Sequence, residues 1–482
     1  MILNAIKDNF VGYITIFGLD CFFALSEGYS LKIVPKPEEI ELFQAKCKER
    51  SFNFDSLGWI HAVNDSGDDI AFFLSERQIP FCYYKDTLIL IADMIFQTSN
   101  NKSRNGEYLQ DYKDLKGFTA IDFSGEAVDS VFFPKLAIKE EVTKDNCFER
   151  QATDKYAINV QTELNGEKCS LIFSVIVDRQ DWIWETRSLG ELHSVIRLEF
   201  DNRQDMSMIE PSWQAVCTFL AFCMGQFNVT DLNIGLWDSK DKKIGTKGFL
   251  SNIYGKINND KGENIQFRYP AYCRFQADFL GEKVGCLFKL LSNKDTRPIL
   301  SFLSRNNYEF DVGKNNIRDI CSSLEVEYKY KKEDFPNSNV VSLVGKLKQV
   351  VKEYRKENPN LLNNDTYSYI NSSLEFISLP AKEKLWRIYE KYSAIINEIY
   401  KFFGSSQGKD FSKEQTIKDI GWMVKVRNNI THSVGYMEAE IPNYIYNRLI
   451  IAVYCSILER SGYSILEIAD IMEKYCKGSK RN

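Results

Sequence analysis

Up to about residue 280 apolar and polar positions alternate in short runs, as in Gly12-Tyr13-Ile14-Thr15-Ile16-Phe17 and Tyr29-Ser30-Leu31-Lys32-Ile33-Val34. That is the period of a half-buried strand. The plainest hairpin joins 156–164 to 168–177 through Asn165-Gly166, a pair that supplies the positive φ values of a tight I′ turn. A further strand is predicted at 194–200. Residues 211–227 read as a helix through Trp213, Val216, Cys217, Leu220 and Cys223, and 238–262, rich in Gly, Asn and charge, as a long loop or hairpin connection. The 1–280 region is therefore predominantly β, and two subdomains would divide near 150.

Beyond about residue 283 the period becomes helical. Val340, Leu343, Val344, Leu347, Val350, Val351 and Tyr354 share one face of a helix, whose other face carries Lys348, Lys352, Arg355 and Lys356 at i, i+4, i+7 and i+8. Such a ridge can meet phosphates, although most charged helix faces are simply solvated. Further helices are predicted at 366–403, 412–433, 442–461 and 464–476, punctuated by Gly404, Gly408, Gly435 and Gly462, with a loop at Asn358-Pro359-Asn360 and a break or kink at Leu379-Pro380. The pattern gives an α+β multidomain chain: a β-rich N-terminal region, 1–280, and an all-α bundle, 283–482.

Composition narrows the function classes. At 482 residues with 44% hydrophobic and 26% charged positions, the chain suits two or three globular domains. The early apolar stretch 10–25 is too short to span a bilayer and is broken by Asp20, so it reads as strand and core, and no later stretch implies a membrane. Twelve cysteines form no C-x-x-C pair and only three histidines accompany them, which points to no metal site or disulfide scaffold but to buried thiols in a reducing, cytoplasmic compartment. The net charge of −5 is uneven, since beyond residue 313 Lys and Arg outnumber Asp and Glu 26 to 21, whereas before it they are outnumbered 35 to 45. A polyanion would favour the C-terminal part.

Phosphate-loop and H-E-x-x-H motifs are missing. The notable stretch is Val426-Arg427-Asn428-Asn429-Ile430-Thr431-His432, at the end of a predicted helix. RNA transesterification needs a base for the 2′-hydroxyl, an acid for the leaving 5′-oxygen and positive charge on the phosphorane, and no metal or other cofactor is obligatory. A histidine near its ordinary pKa and an arginine supply these. Arg427 falls on the apolar face with Met423, Val426 and Ile430, so it requires a carboxylate partner, a snorkelling path or an interface. Arg427 and His432 stand roughly 140° apart on an ideal helix. Arg187 to His193 has similar spacing but feeds into a strand through Gly190 and reads as a decoy, and His61 has no partner motif.

Arg427-Asn428-Asn429-Ile430-Thr431-His432 resembles the R-N-x-x-x-H signature of HEPN ribonucleases. The layout resembles that of the ApeA-like HEPN proteins of anti-phage defence, with 317–325 similar to their early HEPN helix and 189–200 to part of their N-terminal region. The resemblance implies an endoribonuclease with tRNA as the leading substrate and abortive infection as the outcome. It implies Arg427 and His432 as catalytic residues, Asn428 in support, a homodimer through the helical domain, and a sensor role for the β-rich region toward a phage-derived trigger. The bundle contains a single histidine, so a two-histidine acid–base pair would need two chains. Two other readings are a HEPN module that binds nucleotide, RNA or a partner without cutting, with Arg427 held by a buried carboxylate, and a structural adaptor.

Overall fold

The computed structural model describes residues 10–26, 30–50, 58–65, 69–74, 82–84, 87–91, 94–98, 117–142, 148–152, 157–177, 192–225, 232–239, 242–250, 277–300, 314–331, 338–358, 361–376, 380–402, 412–431 and 443–478. The chain divides into two compact units, Met1–Ser292 and Asn293–Asn482. The layout is α+β: antiparallel sheet in the first unit, helices in the second.

Strands of the first unit are β1 (Phe10–Ile16), β2 (Leu19–Ser26), β3 (Ser30–Pro35), β4 (Gly58–Asn64), β5 (Asp69–Leu74), β6 (Cys82–Tyr84), β7 (Thr87–Ile91), β8 (Met94–Thr98), β9 (Phe118–Ser124), β10 (Ile138–Val142), β11 (Phe148–Ala152), β12 (Ala157–Leu164), β13 (Glu167–Val177), β14 (Leu192–Gln204), β15 (Asn233–Ser239) and β16 (Lys242–Leu250). Fourteen of them form one sheet in the order β12-β13-β14-β9-β15-β16-β8-β5-β4-β1-β2-β3-β7-β6, while β10 and β11 pair separately. The Asn165-Gly166 hairpin forms with both residues at positive φ, 51° and 88°, and β12 runs in register with β13 from Ala157↔Ser174 to Leu164↔Glu167.

Period-two patterning decides which face is inside. Ile14, Ile16, Leu19, Cys21, Phe23, Leu25, Leu31 and Ile33 close a core over β1–β3 with Phe43 of α1 (Ile40–Arg50). The predicted strand and core at 10–25 is thus the β1–β2 hairpin, turned by Phe17 and Gly18 at positive φ. A second core lies over β9, β12, β13 and β14, covered by α2 (Glu126–Val131), α3 (Ile209–Met224) and α5 (Val284–Ser292), with the short α4 (Ala277–Leu280) preceding the last. A run of rings links these layers: Phe132 to Phe173 of β13 at 5.9 Å, Phe173 to Phe219 of α3 at 5.8 Å, and Phe219 to Phe288 of α5 at 5.9 Å. Large buried rings contribute most of the area that stabilises such a layer.

Two expectations are corrected here. The stretch 238–262 is not wholly connection, because Lys242–Leu250 is a strand inserted between β15 and β8; its Lys- and Gly-rich sequence lacks alternation, and pairing on both sides makes it a strand. Residues 251–262 lie outside the described residues. The helical unit starts at 293, not 283, because α5 packs on β12 and α3 of the first unit. Gly285 brings α5 against the sheet: a Cβ there would stand 2.4 Å from the Gln161 carbonyl oxygen, and Thr162 donates to the Gly285 carbonyl at 2.8 Å.

The second unit has eight described helices: α6 (Lys314–Tyr330), α7 (Ser338–Glu357), α8 (Asn364–Phe376), α9 (Ala381–Lys391), α10 (Ser393–Phe402), α11 (Lys413–Thr431), α12 (Asn443–Arg460) and α13 (Ile465–Gly478). The predicted 366–403 segment is three helices, interrupted at Pro380, which precedes α9, and at Tyr392. On α12 every residue from Ile445 to Leu458 is buried, the signature of a helix enclosed on all faces. Among the described residues no helix is long and apolar enough to cross a membrane.

Replacing Gly285 with Ala forces α5 away from β12, and the overpacking should cost about 1–3 kcal/mol. Urea unfolding of the two proteins followed by circular dichroism measures it, and an unchanged midpoint would show that the close approach does not matter.

Candidate active site

The helix α6 is the member of the second unit that packs on α9, α11 and α12. It buries Ile317, Ile320, Cys321, Leu324 and Tyr328, one stripe at helical spacing. Its carboxylates take different fates. Glu327 has no exposure, and Arg460 of α12 donates to it at 2.6 Å and the Ser456 hydroxyl at 2.7 Å. Arg460 also stacks over Tyr330 at 3.8 Å. Burial pushes the Glu327 carboxyl up, and Arg460 and Ser456 act against it. At the end of α6 the buried Lys331 pairs with Glu459, which also accepts from Tyr392 and, at 2.9 Å, pairs with Lys391. Burial raises the Glu459 carboxyl, but these donors outweigh it and hold it at about 2. The two clusters fix the rotation of α6 against α12.

That rotation presents Glu325 to Arg427. Helix α11 buries Thr416, Ile420, Met423, Val424 and Val426, and Arg427 stands beside this stripe, as its spacing predicts. Its Nη2 pairs with Glu325 Oε1, the two side chains being 21% and 32% exposed. A half-buried guanidinium thus meets a carboxylate across the α6–α11 contact. Cys321, one turn before Glu325, lies against the same guanidinium. Burial pushes its thiol up to about 12 despite the opposing pull of Arg427, so it is protonated at neutral pH and is not a nucleophile.

The other predicted site residues fall as follows. Asn428 is exposed and Asn429 half-buried. The described part of α11 ends at Thr431, and His432, the next residue, lies outside the described residues. The basic ridge is on α7: Lys352 and Lys356 are exposed, whereas Lys348 and Arg355 are half-buried, and Arg355 lies over the Tyr367 ring at 4.3 Å and donates to Asn364 of α8. The ridge is therefore partly engaged by the neighbouring helix. His193 sits at the entry to β14, 3.6 Å from Asp129, the structural place assigned to it above, and His61 is exposed on β4.

Two features were not singled out beforehand. Glu325 as the partner of Arg427 left no local signal, since 102 positions separate them. Arg448 could have been noticed as a lone cation within the apolar run of α12; it is 2% exposed, donates to Asn397 Oδ1 at 2.6 Å and lies 5.3 Å from the Tyr389 ring. Among the described residues no group of three or more His, Cys, Asp or Glu side chains is placed to hold a metal ion. Comparison with family models, with curated proteins and with solved structures gives no match.

Two outcomes follow. Glu459 is held below its ordinary value, so its stabilisation is complete above pH about 4.5 and is lost as pH falls toward about 2. Glu459→Gln should remove of order 2–3 kcal/mol at neutral pH and flatten the acid limb of stability against pH, read by urea unfolding at successive pH values. Glu325→Ala leaves the half-buried guanidinium without its carboxylate and should cost about 1–3 kcal/mol in the same assay; no change would mean that the ion pair does not hold α6 to α11.

Proposed function

We propose that the helical unit is a HEPN-type endoribonuclease, with Arg427 and His432 as its catalytic pair and RNA, tRNA foremost, as substrate. The observation that carries this reading is the placement of Arg427: a guanidinium held in a fixed direction by Glu325, one turn from the end of α11, with His432 following Thr431 in the chain. In the reaction a base takes the 2′-hydroxyl proton and the 2′-oxygen attacks phosphorus. The bond to the 5′-oxygen breaks and that oxygen receives a proton, leaving a 2′,3′-cyclic phosphate and a 5′-hydroxyl. His432 suits either proton transfer, and Arg427 would stabilise charge on the phosphorane oxygens. Asn428, exposed and next to Arg427 in the chain, would orient substrate or the pair. None of these steps requires a metal. The β-rich unit would then restrain the nuclease until a phage-derived trigger engages it, in an abortive-infection response within the cytoplasm.

A second reading is favoured by the same ion pair. Arg427 already faces a carboxylate, the arrangement expected of a non-cutting module that binds nucleotide, RNA or a protein. Incubating the full chain and its His432→Ala and Arg427→Ala variants with total tRNA in EDTA separates the two. The nuclease reading expects cleavage by the parent, 2′,3′-cyclic phosphate ends, and a loss on the order of 10²–10⁴ in both folded variants. Retention of tRNA without cleavage, with and without phage lysate, would transfer the case to the binding module.

A further inference from the structure

Helices α7 and α8 form a hairpin, and α7 packs chiefly on α8. An amphipathic helix in a single folded chain turns its apolar stripe inward, but α7 does so only in part. Val344, Leu347 and Val351 are half-buried, whereas Leu343, Val350 and Tyr354 are 53%, 59% and 47% exposed. The three exposed residues, with the half-buried Leu347 between them, lie along one line. Leu343, Leu347, Val350 and Tyr354 follow each other at intervals of four, three and four, the spacing of a helix–helix seam.

Charge identifies what fits this seam. Lys346 and Glu353, both exposed, flank it on the side away from Val344 and Val351. When a second copy of α7 lies antiparallel, with Leu343 layered on the partner's Tyr354 and Leu347 on the partner's Val350, each Lys346 stands opposite the partner's Glu353. The two-fold axis makes both pairs at once, as a self-complementary interface requires. Parallel copies would set Lys346 beside the partner's Val351 and form no such pair. RNA is a poorer occupant, because Leu343 and Val350 offer nothing to phosphates or base edges, and of the nearby cations Arg355 is engaged with α8.

We infer that the outer face of α7 is a homodimer interface, formed by two antiparallel copies of this helix and held in register by reciprocal Lys346–Glu353 pairs. The choice of face, its antiparallel sense and its charge register go beyond the nuclease reading and do not rest on it. A seam of this length belongs among small interfaces, so dissociation in the range of micromolar is expected.

Light scattering coupled to gel filtration, on the full chain at loadings up to about 100 μM, reads the outcome directly. The parent should approach twice 55.9 kDa. The Leu343→Glu/Val350→Glu double variant should give the single-chain mass with an unchanged helical circular dichroism spectrum. Lys346→Glu or Glu353→Lys alone should weaken association about ten-fold, each creating two like-charge contacts, and Lys346→Glu/Glu353→Lys together should return it to within about three-fold of the parent. A monomeric parent, a dimer that survives both glutamates, or a charge reversal that does not rescue would each overturn the proposal. So would stripe variants that lose tRNA retention while mass is unchanged. Because mass is read independently of cleavage, failure here leaves the nuclease assay unaffected, and the reverse.

Discussion

Glu327 is a carboxylate with no exposure, and the helical unit is built around its neutralisation. An ion buried this completely is tolerated only where a countercharge and further hydrogen bonds replace its water, and Arg460 and Ser456 do so from α12. The geometry admits one rotation and one axial position of α6 relative to α12. Lys331, Lys391, Tyr392 and Glu459 fix the same helix at its end. Hydrophobic burial alone would let two greasy stripes slide, whereas a buried charge with directed donors makes neighbouring registers costly. The presentation of Glu325 to Arg427 follows from this, because Glu325 and Glu327 are two residues apart on the helix that is so held.

Glu325 both orients and attenuates Arg427. A guanidinium whose Nη2 already meets a carboxylate has a fixed direction, which is the condition for electrostatic stabilisation without reorganisation. It also projects less positive potential toward an incoming anion. Any ligand at Arg427 must be compatible with this pair or displace it. The protonated Cys321 adds packing against the same group without adding charge.

Much of the first unit was legible because local chemistry settled it. Asn165-Gly166 sets a tight turn whatever surrounds it, and the alternation through Ile14, Ile16, Cys21, Phe23 and Ile33 assigns one face to the core. The strand Lys242–Leu250 was not legible, because its state depends on neighbours remote in the chain. The unit to which α5 belongs is illegible for a similar reason: a helical period reports a face to be buried, not the surface that buries it, and here that surface is β12. At the site, position 427 was recognisable as a cation on an apolar stripe, while the choice between Glu325 and Glu327 as its partner needed the rotation of α6. On α7 the apolar and basic faces were readable, but not that half of the apolar face would remain uncovered.

The sheet order has a consequence for synthesis. β8 pairs on one side with β5, which precedes it, and on the other with β16, so the strands of 10–98 fold with one of their edges still open. That edge, Met94-Ile95-Phe96-Gln97-Thr98, waits for residue 250 to leave the ribosome, about ten to thirty seconds at ordinary elongation rates. During that interval the nascent chain presents a ladder of free amides and carbonyls on a largely apolar segment, the template for joining a like strand from another chain. The hazard belongs to the half-made protein and disappears when β16 inserts.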